Sequence, residues 1–334
     1  MPQTQRHLRN WVASGDLSAE QLQQALALTH TTPPAGATLR FLSCVVLALA
    51  VAMLCSGVIF FFAYNWDALT RWHKFALAQG ALLLALAPLI RFNLPHAVAQ
   101  ASLFAASLLV GALLALVGQT YQSGADTYQL FALWAALILP WVMIARMPAL
   151  WLLLLVLLNL CVALLLSDFL LQPWMLWLDN PTMLLFLLNA SAAALWLYVT
   201  RHTAASRTLN WAQRSINLYS LMLITLMAMG QIMRGLDSDL LTLITWVLFV
   251  SAWWYLHRVR HLDLVMLSAL IMACIVLSVG LIAQIPEHYL GLEGLFLLMA
   301  VSVMGLSSAG SMWLKRLKHT SQKNAADTQG AKHE

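Results

Sequence analysis

The chain has 334 residues, of which 61% are hydrophobic and only 9% charged, with a mean hydropathy of +0.78. A water-soluble globular domain is about 45–50% apolar and about 25% charged, so this composition excludes one. The net charge of +5 comes from 18 basic and 13 acidic residues spread thinly between apolar runs; without a basic face, no nucleic-acid partner is expected.

Residues 1–38 read as a cytoplasmic amphipathic helical hairpin and linker. Leu8, Trp11 and Val12 share a helical stripe that stops at Gly15, and Ser18 opens a capping box with Gln21. Leu22, Ala25 and Leu26 then repeat at helical spacing, and Pro33 and Pro34 separate the hairpin from the first long apolar run. The tail lacks the short apolar core and small-residue cleavage site of a signal peptide, so that first run is read as an uncleaved helix.

Residues 39–314 read as an all-α, polytopic transmembrane helical bundle. Ten long stretches are free of Asp, Glu, Lys and Arg: 41–66, 75–90, 92–125, 127–145, 147–167, 180–200, 215–233, 240–257, 264–286 and 294–314. A crossing helix needs roughly 20 apolar residues, which most of these supply. Segment 75–90 is short, and Lys74 and Arg91 at its ends are expected to snorkel and extend it. Segment 92–125 is too long, so its helix is ended near Val117 and Gly118–Ala125 is assigned to a loop. Segment 147–167 holds eleven leucines, enough to insert despite Asn159.

With the N-terminus inside, fifteen of the eighteen basic residues fall on the cytoplasmic side, leaving Arg71, Lys74 and Arg234 outside. This bias places both termini in the cytoplasm. Between the fifth and sixth spans, Phe169–Leu178 is apolar but too short to cross, and reads as an interfacial helix or re-entrant turn. Residues 315–334 begin with Lys315, Arg316 and Lys318, a cluster suited to anionic headgroups, and then read as a disordered cytoplasmic tail.

No enzymatic signature is present. HExxH, GxSxG and the phosphate-binding loop are all missing, so no catalytic residue, metal site or cofactor is expected. Cys44, Cys55, Cys161 and Cys274 lie in apolar runs and read as small buried hydrophobes. His257 and His261 flank Arg258 and Arg260 at the inner boundary, where headgroup contact is expected. The spans carry amides (Gln79, Gln100, Asn159, Asn189, Gln231 and Gln284), suited to interhelical hydrogen bonds or to lining a solute path. Gly305-x-x-x-Ala309 and Ala190-x-x-x-Ala194 suggest tight helix contacts, within the chain or with a partner.

Two outer loops are rich in groups that can bind something. One holds Asn65, Trp66 and Asp67; the other holds Gln119, Tyr121, Gln122 and Asp126. Amides, a phenol and carboxylates at a membrane boundary suit an outward-facing polar site. Equally, the aromatics serve as belt anchors and the polar groups satisfy loop backbone.

At these residues the sequence resembles the bacterial membrane proteins grouped as domain of unknown function 2157. The resemblance rests on Trp11-Val12-x-x-Gly15-Asp16-Leu17-Ser18-x-Glu20-Gln21, on Asn65-Trp66, and on Gly118-Gln119-x-Tyr121-Gln122 running into Trp134, over roughly residues 9–145. It implies a multi-pass inner-membrane protein, often encoded beside another multi-span protein, and implies no activity. The chain also echoes itself. Gly118-Gln119 precedes Gly124-x-Asp126 and Trp134, and Gly230-Gln231 precedes Gly235-x-Asp237 and Trp246. That pattern would be a same-orientation repeat displaced by four spans.

Two functions are expected from these residues. One is a non-enzymatic subunit of the inner membrane, with the lipid bilayer and a second polytopic membrane protein as partners. The other is a transporter or channel-like protein for a small uncharged solute, with the two outer loops forming its site.

Overall fold

The computed structural model describes residues 37–94, 96–121, 124–169, 181–200, 210–235, 240–260 and 263–330, together with Ser18 and Gln21. Among these residues the chain is all-helical, with ten helices long and apolar enough to cross a membrane. They are α1 (Ala37–Tyr64), α2 (Arg71–Leu86), α3 (Ala97–Tyr121), α4 (Thr127–Ala145), α5 (Pro148–Phe169), α6 (Pro181–Thr200), α7 (Asn210–Arg234), α8 (Leu240–Tyr255), α9 (Leu264–Ala283) and α10 (Glu287–Gly330). A lipid-solvated chain must satisfy its backbone within each segment, and the helix does so. Span hydroxyls follow the same rule: Ser43, Ser107, Ser220 and Thr245 each donate to the carbonyl four residues earlier.

The short second span is completed by the single turn Pro88–Arg91, so that Arg71–Arg91 covers 21 residues. The third helix runs on through Gly118 to Tyr121, correcting the loop expected from Gly118 onward. Beyond the hydrocarbon the backbone is free to continue helically, and the chain turns only near Gly124, at φ 64°. α10 contains one break, at Gly291 (φ 66°), and then continues to Gly330. The tail expected to be disordered from 315 is thus helical as far as Gly330, in keeping with the good helix formers Lys323, Ala325 and Ala326.

The capping box at the N-terminus is formed. The Ser18 backbone N–H donates to the Gln21 side-chain oxygen at 2.9 Å, and the Gln21 N–H donates to the Ser18 hydroxyl at 3.3 Å. The rest of the expected hairpin, the Leu170–Leu178 part of the interfacial run, Gln122 and His261 lie outside the described residues.

The chain divides into two compact units: Met1–Ala125 with Met143–Ala145, and Asp126–Val142 with Arg146–Glu334. In the first, α3 is the central helix and packs against α1 and α2. Cys55, Ala105 and Leu109 form its buried centre, covered by Val51, Val58, Ala81, Leu82 and Ala85; small side chains let the backbones approach. The Ser102 hydroxyl donates to the Ala85 carbonyl in the last turn of α2, where helix carbonyls lack a helical partner.

In the second unit α7 is central, flanked by α6, α8 and α9. Phe186, Leu223, Ile224 and Met227 form one buried cluster, and Leu221, Trp253, Met266, Leu270 and Ala273 another. α9 and α10 meet at Gly310, where an added Cβ would lie 2.8 Å from Ile271 Cγ2. Gly305 has open space instead, so the expected Gly305–Ala309 contact is not made within the described chain.

The two central helices are built alike. α3 and α7 each have 25 residues, and each is followed by a glycine at positive φ, Gly124 at 64° and Gly235 at 101°. Both glycines belong to the sequence echo.

Candidate functional site

The first loop is a tight turn from Asn65 to Thr70 joining α1 to α2. The Asn65 side-chain amide donates back to the Phe61 carbonyl at 2.9 Å, so it caps its own helix instead of facing a solute. Thr70 occupies the N-cap of α2 without making a side-chain cap, because its hydroxyl pairs with His73 Nδ1 at 2.8 Å. The first turn of α2 contains no acidic residue. Its positive end therefore carries Arg71 and Lys74 with no carboxylate on the same turn.

Lys74 does not snorkel outward as expected. It is only 8% exposed, and its ammonium lies over the Trp66 ring, 3.6 Å from the centroid. The reason is register. Lys74 shares a helical stripe with Ala78, Leu82 and Ala85, which faces α3, and helical side chains point back toward the N-terminus. That direction lays the ammonium on the preceding turn, where an indole face is a good partner for a cation.

The next residue reaches the second loop. Phe75 stacks on Tyr121 with ring centroids 5.8 Å apart. Consecutive residues at the start of α2 thus hold Trp66 of the turn and Tyr121 at the end of α3. Gln119 is exposed on the last turn of α3, and Asp67 is exposed in the turn. Between Gln119 and Tyr121, the Thr120 hydroxyl is buried without a hydrogen-bond partner.

Asp126 belongs to the other compact unit. It occupies the N-cap of α4 without a side-chain cap and accepts from the Gln129 amide at 3.3 Å. Trp66 and Tyr121 are therefore brought to one helix turn, while Asn65 is used locally. The sequence places Thr120 in the second candidate loop and Lys74 just after the first, but neither Phe75 nor the burial of Lys74 is foreseen there. The signal for Lys74 was its place on the buried stripe of α2.

The in-span amides of the second unit are arranged differently. Asn159 of α5 and Asn189 of α6 bond each other reciprocally, at 3.2 and 2.6 Å. Each also donates to its own helix, at the Leu155 and Leu185 carbonyls. Gln231 accepts from Arg234 at 3.2 Å, and the Trp246 indole donates to the Thr225 hydroxyl at 3.2 Å. At the opposite end of α7, Arg214 forms an ion pair of 2.8 Å with Asp263, which also caps α9 through the Val265 and Met266 N–H groups.

His257 corrects the headgroup expectation. It is buried, its ring centroid 5.2 Å from that of Trp253 and tilted 57° to it, on a π-helical turn over Leu256–Arg260.

Known families bear on one part of the chain. Residues 9–151 match the family model described as Predicted membrane protein (DUF2157). This is the family that the tail, Asn65-Trp66 and Gly118–Gln122 pointed to. The matched region contains the whole Trp66–Lys74–Tyr121 cluster and the first four spans, and ends just inside α5. The paired amides Asn159 and Asn189 lie beyond it. No curated protein and no solved structure matches the chain. The family description supplies a membrane location and no chemistry.

Proposed function

We propose that this multi-pass membrane protein is a non-enzymatic subunit of the bacterial inner membrane, with both termini in the cytoplasm, that acts by engaging a second polytopic membrane protein. One observation carries this reading. The amides at mid-span depth, Asn159 and Asn189, bond each other and their own helices. A solute path needs polar groups free to exchange partners with what passes; a closed reciprocal pair fixes two helices instead. The bias of basic residues supports the orientation.

The outward-site alternative draws on a different observation, the gathering of Trp66 and Tyr121 on the first turn of α2. The two readings separate on purification in mild detergent and reconstitution. The subunit reading expects a stoichiometric complex with a second multi-span chain and no solute flux from the purified protein in liposomes. Flux from the lone chain that falls on replacing Asn65 and Asp126 by Ala would favour the transporter instead.

A further inference from the structure

We propose that the chain forms a symmetric dimer in the membrane through the outward face of α2, with the side-chain amide of Gln79 hydrogen-bonded to that of a second copy. This goes beyond the subunit reading and does not depend on it.

α2 has two faces. Lys74, Ala78, Leu82 and Ala85 lie on the one that packs on α3. Trp72, Ala76, Gln79 and Leu83 lie on the opposite one, four, three and four residues apart, and all four are exposed. Trp72 is 74% and Leu83 68% exposed. Lipid alone accounts for exposed Trp, Ala and Leu. It does not account for Gln79, which falls within one turn of the middle of the Arg71–Arg91 span. An amide at that depth meets no water, and each donor or acceptor left open in hydrocarbon is costly.

Other amides of the spans avoid that cost. Asn159 and Asn189 close on each other and on their own helices, and Gln231 accepts from Arg234. Gln100 lies in the first turn of α3 and Gln284 is the C-cap of α9, so both sit at span ends. Gln79 is exposed at mid-span and, among the described residues, makes no hydrogen bond to another side chain or to its own helix.

The chemistry of the amide selects the partner. It both donates and accepts, so its self-complementary match is a second amide, joined by two reciprocal bonds as in Asn159–Asn189. Copies inserted with the same orientation are related by a two-fold axis along the membrane normal, which keeps each residue at the depth of its counterpart. Gln79 then meets Gln79 of the second copy. The spacing of the exposed face is that of the seam between two left-handed supercoiled helices. Gln79 is also flanked by the small residues Ala76 and Gly80. A Cβ added at Gly80 meets nothing within 4 Å, which leaves room for a second backbone to approach.

The test uses the full chain in native membranes, with its four cysteines replaced and single cysteines introduced. Oxidation is expected to cross-link Ala76→Cys and Leu83→Cys into a dimer of the chain, and to leave Leu77→Cys and Leu84→Cys, exposed on the flank of α2, monomeric. In mild detergent, sedimentation of the native chain should show a monomer–dimer equilibrium. Gln79→Leu is expected to weaken it about tenfold, the factor for losing two interhelical hydrogen bonds, and Gln79→Asn to keep most of it. Leucine suits lipid and the face toward α3 is untouched, so Gln79→Leu should melt no lower than wild type under conditions where both are monomers. A chain that stays monomeric, cross-links that favour Leu77→Cys and Leu84→Cys, cross-links from Ala76→Cys and Leu83→Cys to a different protein, or self-association indifferent to Gln79→Leu would overturn the proposal.

Discussion

In the unit around α7, polar side chains within and at the ends of the spans find one another: Asn159 with Asn189, Thr225 with Trp246, Gln231 with Arg234, Arg214 with Asp263. In the unit around α3, Lys74 lays its ammonium on the Trp66 ring, and the Thr120 hydroxyl is buried without a hydrogen-bond partner. Both units have a 25-residue central helix followed by a positive-φ glycine, so the difference lies in what the polar groups do and not in the local construction. In a solvent that offers no hydrogen bonds, closed pairs stabilise and open groups cost.

The sharpest way to break this contrast is Asn189→Ala. It removes the fully buried half of the pair and strands the Asn159 oxygen, so stability should fall by roughly 2 kcal/mol. Replacing both Asn159 and Asn189 by Leu should recover most of that loss, because no buried polar group is then left unmatched. Melting in detergent of wild type, Asn159→Leu, Asn189→Leu and the double Leu variant measures it; losses that simply add in the double variant would show that the amides do not act as a pair.

On the other side of the contrast, Lys74→Met should lower stability by about 1 kcal/mol, because it removes the ammonium that lies on the Trp66 ring. An unchanged or raised melting temperature would mean that this contact does not hold the turn.

The smallest expected effect separates the two roles of Asp263. Asp263→Asn keeps a capping oxygen and loses only the partly exposed ion pair, worth about 0.5 kcal/mol. Asp263→Ala also loses the cap and should cost more. Thermal melts at low and high salt distinguish the two, since only the ion pair is screened.

The ten spans were legible in the sequence because one physical requirement, apolar length, decides them. The capping box was legible for the same local reason, a side chain reaching three residues along. Helix ends were less so: Gly118 and Gln119 look like loop residues, yet beyond the hydrocarbon they cost a helix little. The in-span amides were visible as an inventory, but their pairing was not, because Asn159 and Asn189 are 30 residues apart and meet only when α5 packs on α6. The candidate site was half legible. Trp66 and Tyr121 stood out by type, whereas Lys74 and Phe75, which hold them, looked like the ordinary end of a span. Gly305 misled in the other direction: spacing nominated it, and Gly310 makes the close contact.

The most direct test of the architecture places single cysteines at Asp67 and Arg207 in a chain whose four native cysteines are replaced. The two positions are separated by five spans and must lie on opposite sides of the membrane. An impermeant thiol reagent applied to intact cells should label Asp67→Cys at once and Arg207→Cys only after permeabilisation. Labelling of both positions from the same side would contradict the ten-span arrangement and remove the turn between α1 and α2 from the place assigned to it.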